Sequence, residues 1–84
     1  MISIWVVDDH AVIRQGLKRI LSEEGPEFRV TGEAGSAAEM FVMFEKQAIA
    51  SILILDLSMP GRSGIDALAE LKERFSQIKI LVLS

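Results

Sequence analysis

The chain has 84 residues, half of them hydrophobic, which is typical of one small globular domain or part of one. It has no cysteine, which excludes disulfides, thiolate catalysis and cysteine-ligated zinc. Its net charge of −3 argues against a nucleic-acid-binding surface, which is usually basic. No apolar run approaches the roughly 18 residues of a membrane span, and no signal peptide is expected. We therefore expect a cytoplasmic protein.

The first unit of the chain is predicted to be a strand followed by a helix. Residues 2–7 are β-branched and aromatic, which predicts a central strand that ends at Asp8-Asp9-His10. Residues 11–24 form a helical pattern in which Asp9 is placed to cap the amino end and Gly25-Pro26 ends the helix. The apolar stripe of this helix consists of Ile13, Leu17, Ile20 and Leu21.

The second unit predicts a half-exposed strand at a sheet edge and another helix. The alternation over residues 28–34 places Phe28, Val30 and Ala34 on one face and Arg29, Thr31 and Glu33 on the other. Ser36 and Glu39 form a capping box for a helix that runs to about Gln47. The residues expected on its buried face are Met40, Phe41 and Phe44, with Val42 and Met43 broadening that face.

The third unit contains an unbroken apolar run, Ile52 to Leu55, which is typical of a strand covered on both faces. It ends at Asp56, and Pro60-Gly61 predict a turn directly afterwards. Ser63 and Asp66 are placed as a capping box for a helix over residues 65–75. That helix is expected to bury Leu68, Leu71 and Phe75. Residues 79–83 are a last apolar strand, followed by Ser84.

Strands that alternate with helices predict an α/β fold with a doubly wound parallel sheet. The edge-like second strand suggests the strand order 2-1-3-4, which puts a crevice between strands 1 and 3. Asp8, Asp9 and Asp56 then meet at the carboxyl edge of the sheet, with Ser84 on the neighbouring strand.

Three converging carboxylates repel each other unless a positive group joins them. Oxygen ligands in a partly solvated crevice suit Mg²⁺, which typically accepts one or two carboxylates together with water and phosphate oxygens. A carboxylate beside such an ion can also attack phosphorus, and a hydroxyl at Ser84 could donate to the transferred phosphoryl group. The pattern therefore indicates an aspartyl-phosphate site. His10 is interpreted as a helix residue without a catalytic part.

These residues resemble the receiver domain of bacterial two-component response regulators, a flavodoxin-like fold. The resemblance is carried by Asp8-Asp9, Asp56, Met59-Pro60 with Gly64, and Ser84. Asp8-Asp9-His10 followed by Arg14-x-Gly16-Leu17 also resembles the subgroup whose receivers precede a LuxR-type helix-turn-helix DNA-binding domain. Residues 1–84 are expected to form a partial receiver domain.

The resemblance implies a signalling switch rather than an enzyme that turns over an external substrate. Asp56 would accept a phosphoryl group from a phosphohistidine of a sensor histidine kinase. Mg²⁺ would be held by Asp9 and Asp56, by Asp8 through water, and by the backbone carbonyl of Ser58. Ser84 would hydrogen-bond the phosphoryl group and signal its presence. An output domain for transcription control would lie outside this chain, in the full-length protein.

The family domain continues beyond the fourth strand with a helix, a fifth strand and a final helix. The chain is therefore expected to be a fragment, and its apolar fourth strand predicts self-association or segment swapping of the 84-residue polypeptide. Two other functions stay open: a receiver-like interaction module that is never phosphorylated, and a Mg²⁺-dependent phosphatase with an aspartate nucleophile. A nucleotide-binding flavodoxin-like domain is the least favoured, because no glycine-rich loop follows the first strand.

Overall fold

Alternating strands and helices build a parallel sheet, as the sequence pattern predicts. The computed structural model of the chain describes residues 1–47, 50–59 and 64–83. Within them, the sheet has the order β2-β1-β3-β4, all neighbours being parallel, which confirms the predicted topology and the flavodoxin-like fold. The elements are β1 (Ile2–Val7), α1 (Ala11–Glu24), β2 (Phe28–Ala34), α2 (Ala37–Lys46), β3 (Ile52–Asp56), α3 (Gly64–Arg74) and β4 (Lys79–Leu83).

The two faces of the sheet carry separate apolar clusters, because successive side chains of a strand point to opposite faces. On one face, Trp5, Leu53 and Leu55 pack with buried residues of α2 and α3, and on the other Ile4, Val6 and Ile54 pack with α1. Each of these strand residues is at most 5% exposed. Burial on both faces explains the continuous apolar runs of β1 and β3.

An aromatic stack fills the face that α2 and α3 cover. Trp5 stacks on Phe44 with ring centroids 4.9 Å apart, and Phe44 contacts Phe75 at 4.6 Å. Gly32 of β2 lies against this stack, since a Cβ atom there would be 2.9 Å from the Trp5 indole nitrogen and 2.7 Å from the Met43 methyl carbon. The indole therefore occupies space that any side chain at position 32 would need.

A bulge in β2 corrects the predicted facing of its residues. Val30 pairs with Ile4, but Trp5 pairs with Gly32, so Thr31 is an extra residue in the ladder. The alternation therefore restarts after Thr31, and Ala34 joins the cluster under α2 instead of sharing a face with Val30. The same shift turns Glu33 toward α1.

Several predicted helix faces are less buried than expected. The apolar stripe of α1 is covered only in part: Leu17 and Leu21 pack against the sheet cluster, whereas Ile13 is 44% and Ile20 57% exposed. Val42 of α2 is 48% exposed and does not extend the buried face. On α3, Leu71 is fully buried as predicted.

The helix ends test the predicted caps. Ser36 caps α2 by accepting the N–H of Glu39, whose carboxylate accepts the N–H of Gly35, so the capping box is confirmed with its second bond one residue earlier. His10, not Asp9, is the N-cap residue of α1, and its side chain makes no capping bond to a described residue. The predicted cap Ser63 and the turn at residues 60–61 lie outside the described residues.

β4 is the edge strand of the described sheet. Leu81 is 56% and Val82 38% exposed, which agrees with the expectation that little covers this strand. At the opposite edge, β2 is held by α1 and α2. Across the ranges that the structure describes, none of the helices is long and apolar enough to cross a membrane.

Candidate functional site

The site is built where β1 and β3 end side by side. Val7 pairs with Leu55, so Asp8 and Asp56 emerge at neighbouring strand ends. The two residues are only 4% and 5% exposed. Asp8 is anchored by its N–H, which donates to the carbonyl of Ala34 at 3.0 Å. Two buried acidic residues therefore meet at the predicted crevice.

Asp56 is held by the loop that follows it. The backbone N–H of Ser58 donates to Asp56 Oδ1 at 2.9 Å, and the Ser58 hydroxyl lies 2.8 Å from the same oxygen. Among the described residues, no other group bonds this carboxylate, so Oδ2 is left without a protein donor there. One oxygen is thus used for orientation while the other remains available for chemistry.

The β1–α1 turn brings a third carboxylate, Asp9, and the single histidine of the sequence to the same place. His10 Nδ1 lies 2.9 Å from Asp8 Oδ1 and 3.1 Å from Asp9 Oδ1, and the His10 N–H also donates to Asp8 Oδ1. The hydrogen bond to Asp8 and the charge of Asp9 raise the pKa of His10 above its ordinary value of 6.5. The imidazole therefore responds to the negative charge of the cluster.

The donor set fits a hard divalent cation. Asp8, Asp9, His10 and Asp56 each offer one ligand atom, and these atoms lie within 4.8 Å of one another. Three carboxylates on a partly open edge match the oxygen ligands that Mg²⁺ accepts. The structure brings together the predicted residues Asp8, Asp9 and Asp56, with the Ser58 backbone in the adjoining loop. Ser84, the predicted phosphoryl contact, lies outside the described residues.

The basic side chain of Arg14 binds the β1–α1 turn that carries Asp8 and Asp9. Arg14 Nη1 donates to the carbonyl oxygen of Asp8 at 2.6 Å, and Arg14 Nε donates to Glu33 Oε1 at 2.9 Å. Lys18 Nζ donates to the other Glu33 oxygen at 2.6 Å. These donors, Lys18 first and Arg14 second, lower the pKa of Glu33 below its ordinary value of 4.5. Glu33 is therefore a charged anchor between β2 and α1.

Helix α3 starts against the loop that carries Asp56. A Cβ atom at Gly64 would collide with the backbone of Leu57, the residue after Asp56. Only glycine permits this approach of the helix start to the strand end. The amino end of α3 is thereby held close to the acidic site.

Three contacts of this site were missed from the sequence. The pattern of the sequence does not predict the contacts of His10 with Asp8 and Asp9. Nor does it predict the bond of the Ser58 hydroxyl to Asp56 or that of the Arg14 guanidinium to Asp8. Position alone offered a signal for two of them, since Ser58 follows Asp56 by two residues, a spacing typical of Asx-type bonding, and His10 adjoins the carboxylates.

Comparison with known proteins agrees with the geometry. The model of the response regulator receiver domain family matches residues 4–84. The chain is 37% identical over 83 residues to the transcriptional regulatory protein DegU of Brevibacillus brevis, covering 99% of this chain and 34% of DegU. It is 36% identical over 84 residues to the DNA-binding transcriptional activator DevR/DosR of Mycobacterium tuberculosis, covering 100% of the chain and 38% of that protein. The chain thus spans about a third of the length of these relatives.

Solved structures show the same fold. RcsB of Salmonella enterica serovar Typhimurium, bound to a promoter with the phosphomimetic BeF₃⁻, superposes with a TM-score of 0.88 at 29% identity, covering 98% of this chain and 68% of that one. The complex of histidine kinase ThkA with response regulator TrrA contains a chain that matches with a TM-score of 0.85 at 33% identity, covering 100% of this chain and 69% of that one. With the family match over nearly its whole length, this chain belongs to the response regulator receiver domain family.

Proposed function

We propose that this chain is a phosphorylation-controlled switch in which Asp56 accepts the phosphoryl group. The observation that carries this proposal is the position of Asp56: it is buried at a strand end, grouped with two further aspartates, and has one carboxylate oxygen without a protein donor among the described residues. A carboxylate with a free oxygen beside a cation site can attack phosphorus. Signalling by phosphorylation is also consistent with membership of the receiver family.

Mg²⁺ is the cofactor of this proposal. Asp9 and Asp56 would hold it directly, Asp8 through water, and Ser58 through its backbone carbonyl. When bound, the ion supplies positive charge that neutralises the transferring phosphoryl group. The chain itself holds Asp56 Oδ1 through Ser58 and keeps Asp8 and Asp9 together through the β1–α1 turn. In this proposal, the hydroxyl of Ser84 donates a hydrogen bond to an oxygen of the phosphoryl group.

The partners in this proposal are a sensor histidine kinase as phosphoryl donor and a DNA-binding output domain outside this segment. A kinase partner is supported by the ThkA–TrrA complex, and DNA-binding output by the names of DevR/DosR and the promoter-bound RcsB. The net charge of −3 gives the segment itself little reason to contact nucleic acid. The proposed setting is the cytoplasm, which the lack of cysteine permits.

The testing experiment is an intact-mass measurement with Mg²⁺ and a small acyl-phosphate donor. We expect the mass to rise by one phosphoryl group, and we expect no rise in Asp56→Asn or without Mg²⁺. Glu73→Gln, which removes an exposed carboxylate in the last turn of α3, serves as the control and should be phosphorylated normally. A folded chain that takes no phosphoryl group would favour the interaction module, and repeated turnover of a phosphate ester would favour the phosphatase.

We also propose that a polypeptide of these 84 residues alone self-associates. The exposed side chains Leu81 and Val82 on the edge strand β4, and Ile20 on α1, are the support. Light scattering across a concentration series should show a mass above one chain. A monomer at every concentration, with a cooperative melting transition, would contradict this.

A further inference from the structure

One guanidinium ties the acidic turn to the edge of the sheet. Arg14 is 20% exposed at its side chain, and its Nη1 donates to the Asp8 carbonyl at 2.6 Å while its Nε donates to Glu33 Oε1 at 2.9 Å. The two bonds leave the planar guanidinium in different directions, one to the β1–α1 turn and one to β2. Arg14 thus bridges two elements that meet at the site.

The hydrogen bond from Arg14 to the Asp8 carbonyl also constrains the backbone of the next residue, Asp9. The carbonyl of Asp8 and the N–H of Asp9 belong to one planar peptide unit, so a donor that holds the oxygen also sets the direction in which Asp9 leaves the strand. The N–H of Asp8 is held separately by the Ala34 carbonyl at 3.0 Å. Both peptide units around Asp8 are therefore tied, one by β2 and the other by Arg14.

The ion pair with Glu33 fixes the position of the Arg14 guanidinium. The Glu33 carboxylate is shared with Lys18, whose Nζ lies 2.6 Å from Oε2, and the two cations keep Glu33 ionised. Glu33 reaches α1 because the bulge at Thr31 turns it to that face of the sheet. The bulge, Glu33, Arg14 and Asp8 thus form one continuous chain of contacts.

We propose that Arg14 is a positioning residue for the divalent cation: it presets Asp9 through the Asp8 carbonyl, and so raises cation affinity without touching the ion. This inference rests on the proposed function, since it concerns the ion which that function uses. Arginine suits the role because its donors form a rigid fork, whereas the donors of lysine share one nitrogen. Arg14→Lys should therefore restore the affinity only in part.

The test is calorimetric titration of the chain with Mg²⁺ alone. For Arg14→Met, which keeps the apolar stem, we expect about tenfold weaker binding, the lower end of the range for residues that orient metal ligands. Phosphorylation by a small acyl phosphate should need more Mg²⁺ but reach the wild-type rate at saturation. A loss that is only structural would instead lower the rate at every Mg²⁺ concentration. Arg19→Met, on the exposed side of the same helix, is the control and should bind as wild type does.

Glu33→Gln provides a second variant. It weakens the anchor but leaves the Arg14–Asp8 bond, so we expect a smaller loss of Mg²⁺ affinity, and the double variant should bind no more weakly than Arg14→Met. Wild-type affinity in Arg14→Met overturns the inference; if that variant does not fold, wild-type affinity in Glu33→Gln overturns it instead. A wild-type chain that binds no Mg²⁺ overturns the proposed function as well, whereas unchanged variants overturn this inference alone.

Discussion

Ser58 donates to Asp56 Oδ1 twice, with its backbone N–H at 2.9 Å and its hydroxyl at 2.8 Å. Two hydrogen bonds orient the carboxylate well. They also stabilise its negative charge, which makes the carboxylate a weaker nucleophile. The backbone bond comes from the course of the loop, whereas the hydroxyl bond depends on the side chain at position 58. The two can therefore be separated by mutation.

Ser58→Ala should speed phosphorylation of Asp56 by a small acyl phosphate. Loss of one hydrogen bond to a charged group, worth about 1.5 kcal/mol, allows a rise of up to about tenfold. The rate is measured by intact mass at saturating Mg²⁺. Ser76→Ala, in the turn between α3 and β4 and so at the amino end of the strands, should change nothing. An unchanged or slower rate in Ser58→Ala would contradict this view of the hydroxyl.

Gly32→Ala should lower the free energy of unfolding by about 1–3 kcal/mol, the usual effect of overpacking a core. The new methyl group would lie 2.9 Å from the Trp5 indole nitrogen, so the aromatic stack would have to shift. The control is Gly16→Ala in α1, where a Cβ atom meets nothing within 4 Å. That change should add about 0.5–1 kcal/mol of stability. Denaturant unfolding measures both, and equal effects of the two changes would refute the packing argument.

The ion pairs of Glu33 should make stability depend on pH. Lys18 and Arg14 lower its pKa in the folded state, so the stability that Glu33 contributes is present above its ordinary value of about 4.5 and is lost as the pH falls through the folded value. Because the side chain is 34% exposed, we expect a contribution of only about 0.2–1 kcal/mol.

The measurement is the free energy of unfolding of wild type and Glu33→Gln across the acidic range. The wild-type advantage should be constant near neutral pH and shrink in acid. An advantage that grows in acid would contradict the assignment. Glu24→Gln, which removes an exposed carboxylate at the end of α1, should give a difference without this profile.

Val12 should matter for phosphotransfer from a protein donor. It is 82% exposed in the first turn of α1, which begins directly after Asp9 and His10. A kinase domain that delivers a phosphoryl group to Asp56 must approach the acidic cluster, which includes His10 two residues before Val12. An exposed apolar residue at this position favours contact with such a partner. Val12→Glu should slow transfer from a kinase active on the wild type by about tenfold, as for a substantial interface residue.

The same change should leave phosphorylation by a small acyl phosphate unaltered. Val42→Glu, on the outer side of α2, is the control for adding a carboxylate at an exposed valine. Equal slowing with both donors would mean that Val12 acts on the site itself and not on docking.

The acidic site was predictable because it follows from topology. Parallel strands end at one edge, so residues after apolar runs, such as Asp8 and Asp56, had to come near each other. No comparable rule predicts which atom a long side chain contacts on another element. The bond from Arg14 to the Asp8 carbonyl was therefore not predicted. Periodicity likewise shows which face of a helix is apolar, but not how much of that face a neighbour covers, so the exposure of Ile13 and Ile20 could not be predicted.

The bulge in β2 was not predicted, for a different reason. Residues 28–34 alternate well enough to suggest a regular strand, and Thr31 carries no signal that it is extra. Gly32 was the one available hint, because a glycine inside a strand often marks a bulge or a close backbone approach. The direction of Glu33 depends entirely on that feature.

Thr31 also has a consequence for how this chain is aligned with its relatives. In a relative whose second strand is regular, the residue equivalent to Glu33 lies one position nearer to the start of the strand. An ungapped alignment would then match Glu33 to a residue on the opposite face of the sheet. Placing a one-residue gap at Thr31 keeps the faces in step, and only such an alignment can show whether an acidic residue accompanies arginine across the family.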